Sequence, residues 1–116
     1  MAGPQIESYR FGHLVVDGHT YDGDLILLPD RVVAGWWRRE GHALHTEDLE
    51  IVFDAYPEVL IVGLGANGLM RVTDEASQAL QSAGIELIAQ PTEDACRTYN
   101  ALRQQRPVAA ALHLTC

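Results

Sequence analysis

The chain is short of positive charge. Eight basic residues stand against sixteen acidic ones, giving a formal net charge of −8 over 116 residues. A polyanion is held mainly by Lys and Arg that displace its counterions, so nucleic acid and anionic membrane surfaces are excluded as expected partners. The Arg38-Arg39 pair is too short to form a basic groove. Cysteine is scarce: Cys96 and Cys116 form no CxxC pair, and two cysteines in a chain of this length do not make a secreted disulfide scaffold. No apolar run approaches the roughly twenty residues that cross a bilayer. The N-terminal MAGPQIESYR has neither a basic start nor an apolar core, so no signal peptide is read there. A reducing, cytoplasmic setting is the expectation. Repeats and low-complexity runs are absent too, which removes solenoid and disordered readings.

What is present is an ordinary globular composition, and residues 1–116 are read as one compact domain. The first third reads as β structure. A strand over Tyr9–Val16 meets Asp17-Gly18, a hairpin signal because both central positions take positive φ. His19–Tyr21 returns from it, and Leu25–Leu28 is a continuous apolar run of the kind that is covered on both faces. Val32–Trp37 is expected as a further strand. From Thr46 the periodicity changes: Leu49, Val52, Phe53 and Tyr56 share one helical face, with Thr46 as cap. Two further helices follow, one capped by Thr73 and one beginning at Pro91-Thr92, and they alternate with apolar strands at Val59–Gly63, Ile85–Ala89 and Val108–Leu114. Strands joined by capped helices imply a largely parallel sheet with right-handed crossovers. The fold class is therefore α/β.

Chemical motifs are few. Gly63-Leu64-Gly65-Ala66-Asn67-Gly68 matches G-x-G-x-x-G after a strand, a pattern whose backbone can approach a pyrophosphate. The helix cap at Thr73 lies several residues beyond it, and the next strand ends in Gln90 where a ribose-binding acid is wanted. A turn with positive φ is the plainer reading. His42-x-x-His45 and His113-x-x-Cys116 are two-ligand fragments without a third ligand nearby, and no metal is expected. Cys96 reads as a small buried hydrophobe. No nucleophile elbow or ordered catalytic triad is present, and no cofactor is expected. Trp36 and Trp37 carry more information. Neighbours on a strand point to opposite faces, so one indole enters the core and the other approaches solvent beside Arg38 or Arg39. An interface centred there and complete coverage of both rings inside the domain are both compatible with the sequence.

The order of these segments resembles a known family. Trp37-Arg38-x-x-Gly41-His42 precedes a short helix; IVGLGANG follows, with Met70 just after it; then come Thr92, Ala95, Tyr99-Asn100-x-Leu102 and the closing VAAALHLTC. Together they are similar to the family that includes the mitochondrial complex I assembly factor and the adipogenesis-associated domain protein, with many bacterial and archaeal members. The resemblance covers the chain from about Ile6 onward. It implies a three-layer fold: a central mixed sheet, helices on one side and a β-hairpin layer on the other. It implies no established catalytic residues, and in the complex I branch it implies assembly through protein contacts. The targeting segment that branch would need is not seen in MAGPQIESYR.

Two functions are thus open. The first is a non-enzymatic binding or assembly domain that contacts another protein, or a second copy of itself, near Trp36, Trp37 and Arg38. The second is a small-molecule or enzymatic site at the glycine loop, using Gly63, Gly65, Asn67 and Gly68.

Overall fold

A computed structural model of the chain describes residues 3–116. Its strands are β1 Ile6–Arg10, β2 His13–Val16, β3 His19–Tyr21, β4 Leu25–Leu27, β5 Val32–Ala34, β6 Ala43–Leu44, β7 Val59–Leu64, β8 Arg71–Val72, β9 Glu86–Gln90 and β10 Val108–His113. The helices are α1 Glu50–Ala55, α2 Asp74–Ser82 and α3 Thr92–Leu102, and a 3-10 turn over Thr46–Leu49 leads into α1.

The central sheet is mixed, as expected, with strand order β5-β4-β10-β7-β9. β10, β7 and β9 run parallel, whereas β4 is antiparallel to both β10 and β5. The middle of the sheet is built from the continuous apolar runs. Leu25–Leu28, Val59–Val62 and the whole of Val108–His113 are buried, as strands covered on both faces must be. An antiparallel β1-β2-β3 sheet packs as a separate layer, and β6 and β8 form a small parallel pair.

Two apolar clusters cover the two faces. One joins Ile6, Leu14 and Val16 of the hairpin layer to Leu25, Leu27, Val59 and Ile61, with Ala95, Cys96 and Tyr99 of α3. The other joins Leu49, Val52 and Leu80 of the α1 and α2 region to Ile26, Leu60, Val62 and Ala109. Helices and hairpin layer flank the sheet, but α3 shares the hairpin's face while α1 and α2 take the other. Chain path explains this division. From β7 the chain steps one place to β9 through α2, then returns past β7 to β10 through α3. Right-handed crossovers that step in opposite directions place their helices on opposite faces.

Three local expectations change. The strand expected over Tyr9–Val16 is split by a Phe11-Gly12 turn, so β1 begins earlier, at Ile6. β5 stops at Ala34 because Gly35 turns to φ +70°, and Trp36-Trp37 lies beyond the strand. At Thr46 the chain enters a 3-10 turn instead of an α-helix, and His45, not Thr46, occupies the cap position. The Asp48 carboxylate accepts from His45 N–H at 2.8 Å while Asp48 N–H donates back to His45 O, tightening this turn. Thr73 caps α2 as expected: its Oγ1 accepts from Ala76 N–H at 3.1 Å, with Asp74 and Glu75 in the first turn. Thr73→Ala leaves that N–H without its partner. Urea denaturation is expected to show a loss of about 1 kcal/mol, and Thr73→Ser is expected to recover most of it.

Candidate functional site

At the C-terminal ends of the parallel strands a polar cluster forms that no short motif contains. Asp24, just before β4, receives Arg38 Nη1 at 2.6 Å and His113 Nδ1 at 2.8 Å on Oδ2, and its Oδ1 accepts from Leu114 N–H at 2.8 Å. The side chains of Arg38 and His113 are only 6% and 8% exposed. Arg38 Nη2 also donates to Gly41 O at 3.0 Å and lies 3.1 Å from His113 Nδ1. One ring nitrogen cannot both donate to Asp24 and accept from Arg38. The tautomer with its proton on Nδ1 donates to Asp24 and leaves only a lone pair on the buried, unpartnered Nε2; the other tautomer would strand an N–H there, which costs more. Arg38 Nε is likewise buried without a partner.

Burial alone would raise the Asp24 carboxyl, but hydrogen bonds from His113, Leu114 N–H and Arg38 outweigh it and bring the pKa from 3.8 to about 2. A carboxylate lowered on folding stabilises the native state above its unfolded value and loses that contribution as pH falls through the folded one. Acid titration of stability is therefore expected to steepen from about pH 4 down to about pH 2 in the native chain, and Asp24→Asn is expected to flatten this segment while lowering stability at neutral pH.

The two tryptophans lie beside this cluster. Trp36 is half-buried against the α1-side core; its Nε1 donates to Asp48 O at 3.0 Å, and the Arg38 guanidinium lies 4.9 Å from its ring centroid. Trp37 turns the other way and is 87% exposed. It borders a cleft of about 520 Å³ lined also by Gly23, Gly35 and Gly41. A Cβ added at any of these three glycines would meet nothing within 4 Å. Trp36, Trp37 and Arg38 are thus brought together.

The glycine loop is built differently. Gly65 N–H donates to Thr92 Oγ1, Ala66 N–H to Thr115 O, Gly68 N–H to Gly65 O, Leu69 N–H to Cys116 O and Met70 N–H to Leu64 O. Met70 is buried beneath it. Donors that would face a phosphate in a dinucleotide site bond within this chain, and its own residues 115–116 occupy the cradle. A Cβ on Gly63 would sit 2.9 Å from Thr92 Oγ1; one on Gly65, at φ +102°, would sit 2.2 Å from the carbonyl carbon of Cys116. Asn67 is exposed, and no hydrogen bond joins it to Arg38. Gly65→Ala is expected to destabilise the fold by more than about 2 kcal/mol, measured by thermal unfolding. A change under half that size would mean the tail is not seated on the loop.

The remaining sequence candidates separate. His45 bonds Glu40 at 2.5 Å, while His42 lies edge-on to His113 with centroids 6.1 Å apart. Among the described residues no group of three or more metal-type side chains converges. Cys96 is buried, and burial pushes its thiol up to about 12, so it is an unreactive core residue. The sequence reading missed Asp24 and the partnership of His113. Their signals are slight: an acid that interrupts a turn just before an apolar run, and a single polar side chain ending an otherwise apolar strand.

Comparison with known proteins gives the family and the fold. The chain is 32% identical over 113 residues to NADH dehydrogenase [ubiquinone] 1 alpha subcomplex assembly factor 3 of Danio rerio, covering 95% of this chain and 63% of that protein. The human protein of the same name is 31% identical over 109 residues, covering 91% of this chain and 58% of its own length. The chain thus spans about three-fifths of these relatives. Among solved structures, a conserved hypothetical protein of Pyrococcus horikoshii OT3 superposes with a TM-score of 0.83 at 28% identity, covering 97% of this chain and 99% of that one. An outer membrane protein of Bartonella henselae gives 0.85 at 26% identity, covering 99% and 98%. No helix among the described residues is long and apolar enough to cross a membrane. The family model described as "Protein of unknown function (DUF498/DUF598)" matches residues 6–113, and the chain belongs to that family.

Proposed function

We propose that this domain is a non-enzymatic protein-binding module of the assembly-factor type, and that it engages its partner through the face around Trp37. The observation that carries this reading is an indole left 87% exposed beside a cleft while its neighbour Trp36 is anchored by a hydrogen bond and a stacked arginine. Tryptophan and arginine dominate the energetic centres of protein interfaces, and an anchored frame lets an exposed ring bind without first ordering its backbone. The printed name of the relatives, an assembly factor, supports the same class of role.

A reducing, cytoplasmic setting belongs to the proposal, supported by Cys96 and Cys116 both being free thiols. The partner is another protein; self-association through Trp37 is the alternative form of the same surface. The net charge of −8 speaks against nucleic acid and anionic membranes.

The test is affinity capture from the source cells with the native chain, Trp37→Ser and Tyr56→Ser. Tyr56 is a second exposed aromatic, 73% accessible, at the other end of α1. A stoichiometric partner is expected with the native chain and Tyr56→Ser, reduced at least about tenfold with Trp37→Ser. Equal recovery by all three would remove Trp37 from the interface.

A further inference from the structure

The central sheet ends on one side in β5, whose only neighbour in the sheet is β4. The register shows which way its backbone groups point. Leu28 N–H donates to Arg31 O at one end of this hairpin, and Trp36 N–H donates to Asp24 O at the other. Bonded and unbonded pairs alternate between antiparallel strands, so Val33 bonds Ile26, while Val32 and Ala34 stand at unbonded pairs. The N–H and C=O groups of Val32 and Ala34 therefore face away from β4. No hydrogen bond among the described residues meets them. Ala34 is exposed, Val32 and Val33 are half-buried, and none of the three is charged. The outer strand on the far side, β9, opens instead on Glu86, held by Arg106, and charge is a common guard of a sheet edge.

The edge of β5 runs into a cleft. Gly35 follows the strand at φ +70° and lines the cleft of about 520 Å³ beside Trp37. The charged side chains that line it are already met: Asp24 by Arg38 and His113, and Arg39 by Glu47. A charged side chain entering here would lose water and find no free counter-charge. An apolar one would find Trp36 and Trp37 in the lining.

Resting on the reading of the Trp37 face as a protein interface, we propose that the partner contributes an extended, uncharged segment, which pairs with the outer edge of β5 as a sixth strand of the central sheet and sets an apolar side chain into the Trp37 cleft. Main-chain bonds to Val32 and Ala34 hold such a segment whatever its sequence, and the cleft selects among side chains. The bonds between β5 and β4 are untouched by this addition, because alternate residues of β5 serve its two sides.

The probe is a short synthetic peptide of alternating Thr and Val with one central Leu, blocked at both ends, titrated into the isotope-labelled native chain and followed by NMR. Shifts are expected at the amides of Val32 and Ala34 and at the Trp37 indole. Two N-methylated peptides test the pairing. A strand bonds through one edge at a time, and the seated Leu fixes which edge faces β5. Methylating alternate amides on that edge is expected to weaken binding about tenfold, and methylating those on the other edge hardly at all. Ala34→Pro removes an outward N–H without breaking a bond to β4, and a similar loss is expected. Ala89→Pro, which removes an outward N–H from β9, is expected to change little. Lys or Glu in place of the central Leu is expected to weaken binding about fivefold. Absence of shifts at Val32 and Ala34, equal loss from both methylated peptides, or tighter binding of the Lys or Glu version would overturn the proposal. If the captured partner is lost with Trp37→Ser but fully recovered with Ala34→Pro, the Trp37 face stands and strand addition falls. A dimer in sedimentation that Ala34→Pro abolishes would put a second copy of the chain on this edge in place of the partner.

Discussion

The buried contact between Asp24 and the pair Arg38 and His113 is the constraint on which the Trp36–Arg38 end of the structure depends. Each partner comes from a different part of the chain: the start of β4, the loop after β5 and the end of β10. Removing any one leaves charge or hydrogen-bonding capacity unpaired in a largely buried site, and breaking such a pair costs far more than making it gains. The cluster therefore acts less as a source of net stability than as a positional lock. It fixes Arg38, and Arg38 covers Trp36, while Trp37 stands exposed beside them.

The same end of the sheet shows how a familiar glycine pattern can serve a structural purpose. The loop after β7 lies where an open α/β sheet offers its ligand crevice, and its glycines do permit close backbone approach. What approaches is the chain's own tail. Residues 114–116 accept N–H groups from Gly12, Ala66 and Leu69, while Leu114 N–H donates to Asp24. Hairpin layer, glycine loop and polar cluster are thus tied through one short segment.

Much of the fold was legible because it rests on local rules. Apolar runs became buried strands, and Thr73 became a cap, since both depend on neighbours within a few residues. The layer assignment of α3 was not legible, because it follows from strand order, and strand order is set by long-range packing. The split at Phe11-Gly12 and the stop at Gly35 show where a turn overrode strand propensity. At the site, one covered and one exposed indole were expected from strand alternation at Trp36 and Trp37, and that division holds although the strand stops at Ala34. Asp24 and His113 could not be read: they are 89 positions apart, and nothing at either position signals the other. The spacing His42-x-x-His45 was read as too few ligands for a metal, but it gave no sign that Glu40 would partner His45.

The central place of β10 has a consequence for the order of assembly. In sequence it follows every other described strand, yet in space it lies between β4 and β7. Until it is made, the β4-β5 hairpin and the β7-β9 pair have no shared strand, and each presents an unpaired inner edge. Long-range pairing of this kind makes folding slow, and exposed edges invite pairing with other chains meanwhile. The nascent chain passes through a stage in which its most hydrophobic strands wait for the last one. The alanines Ala109–Ala111 at the middle of β10 suit that late role, since small side chains can enter a space already bounded on both faces by neighbours.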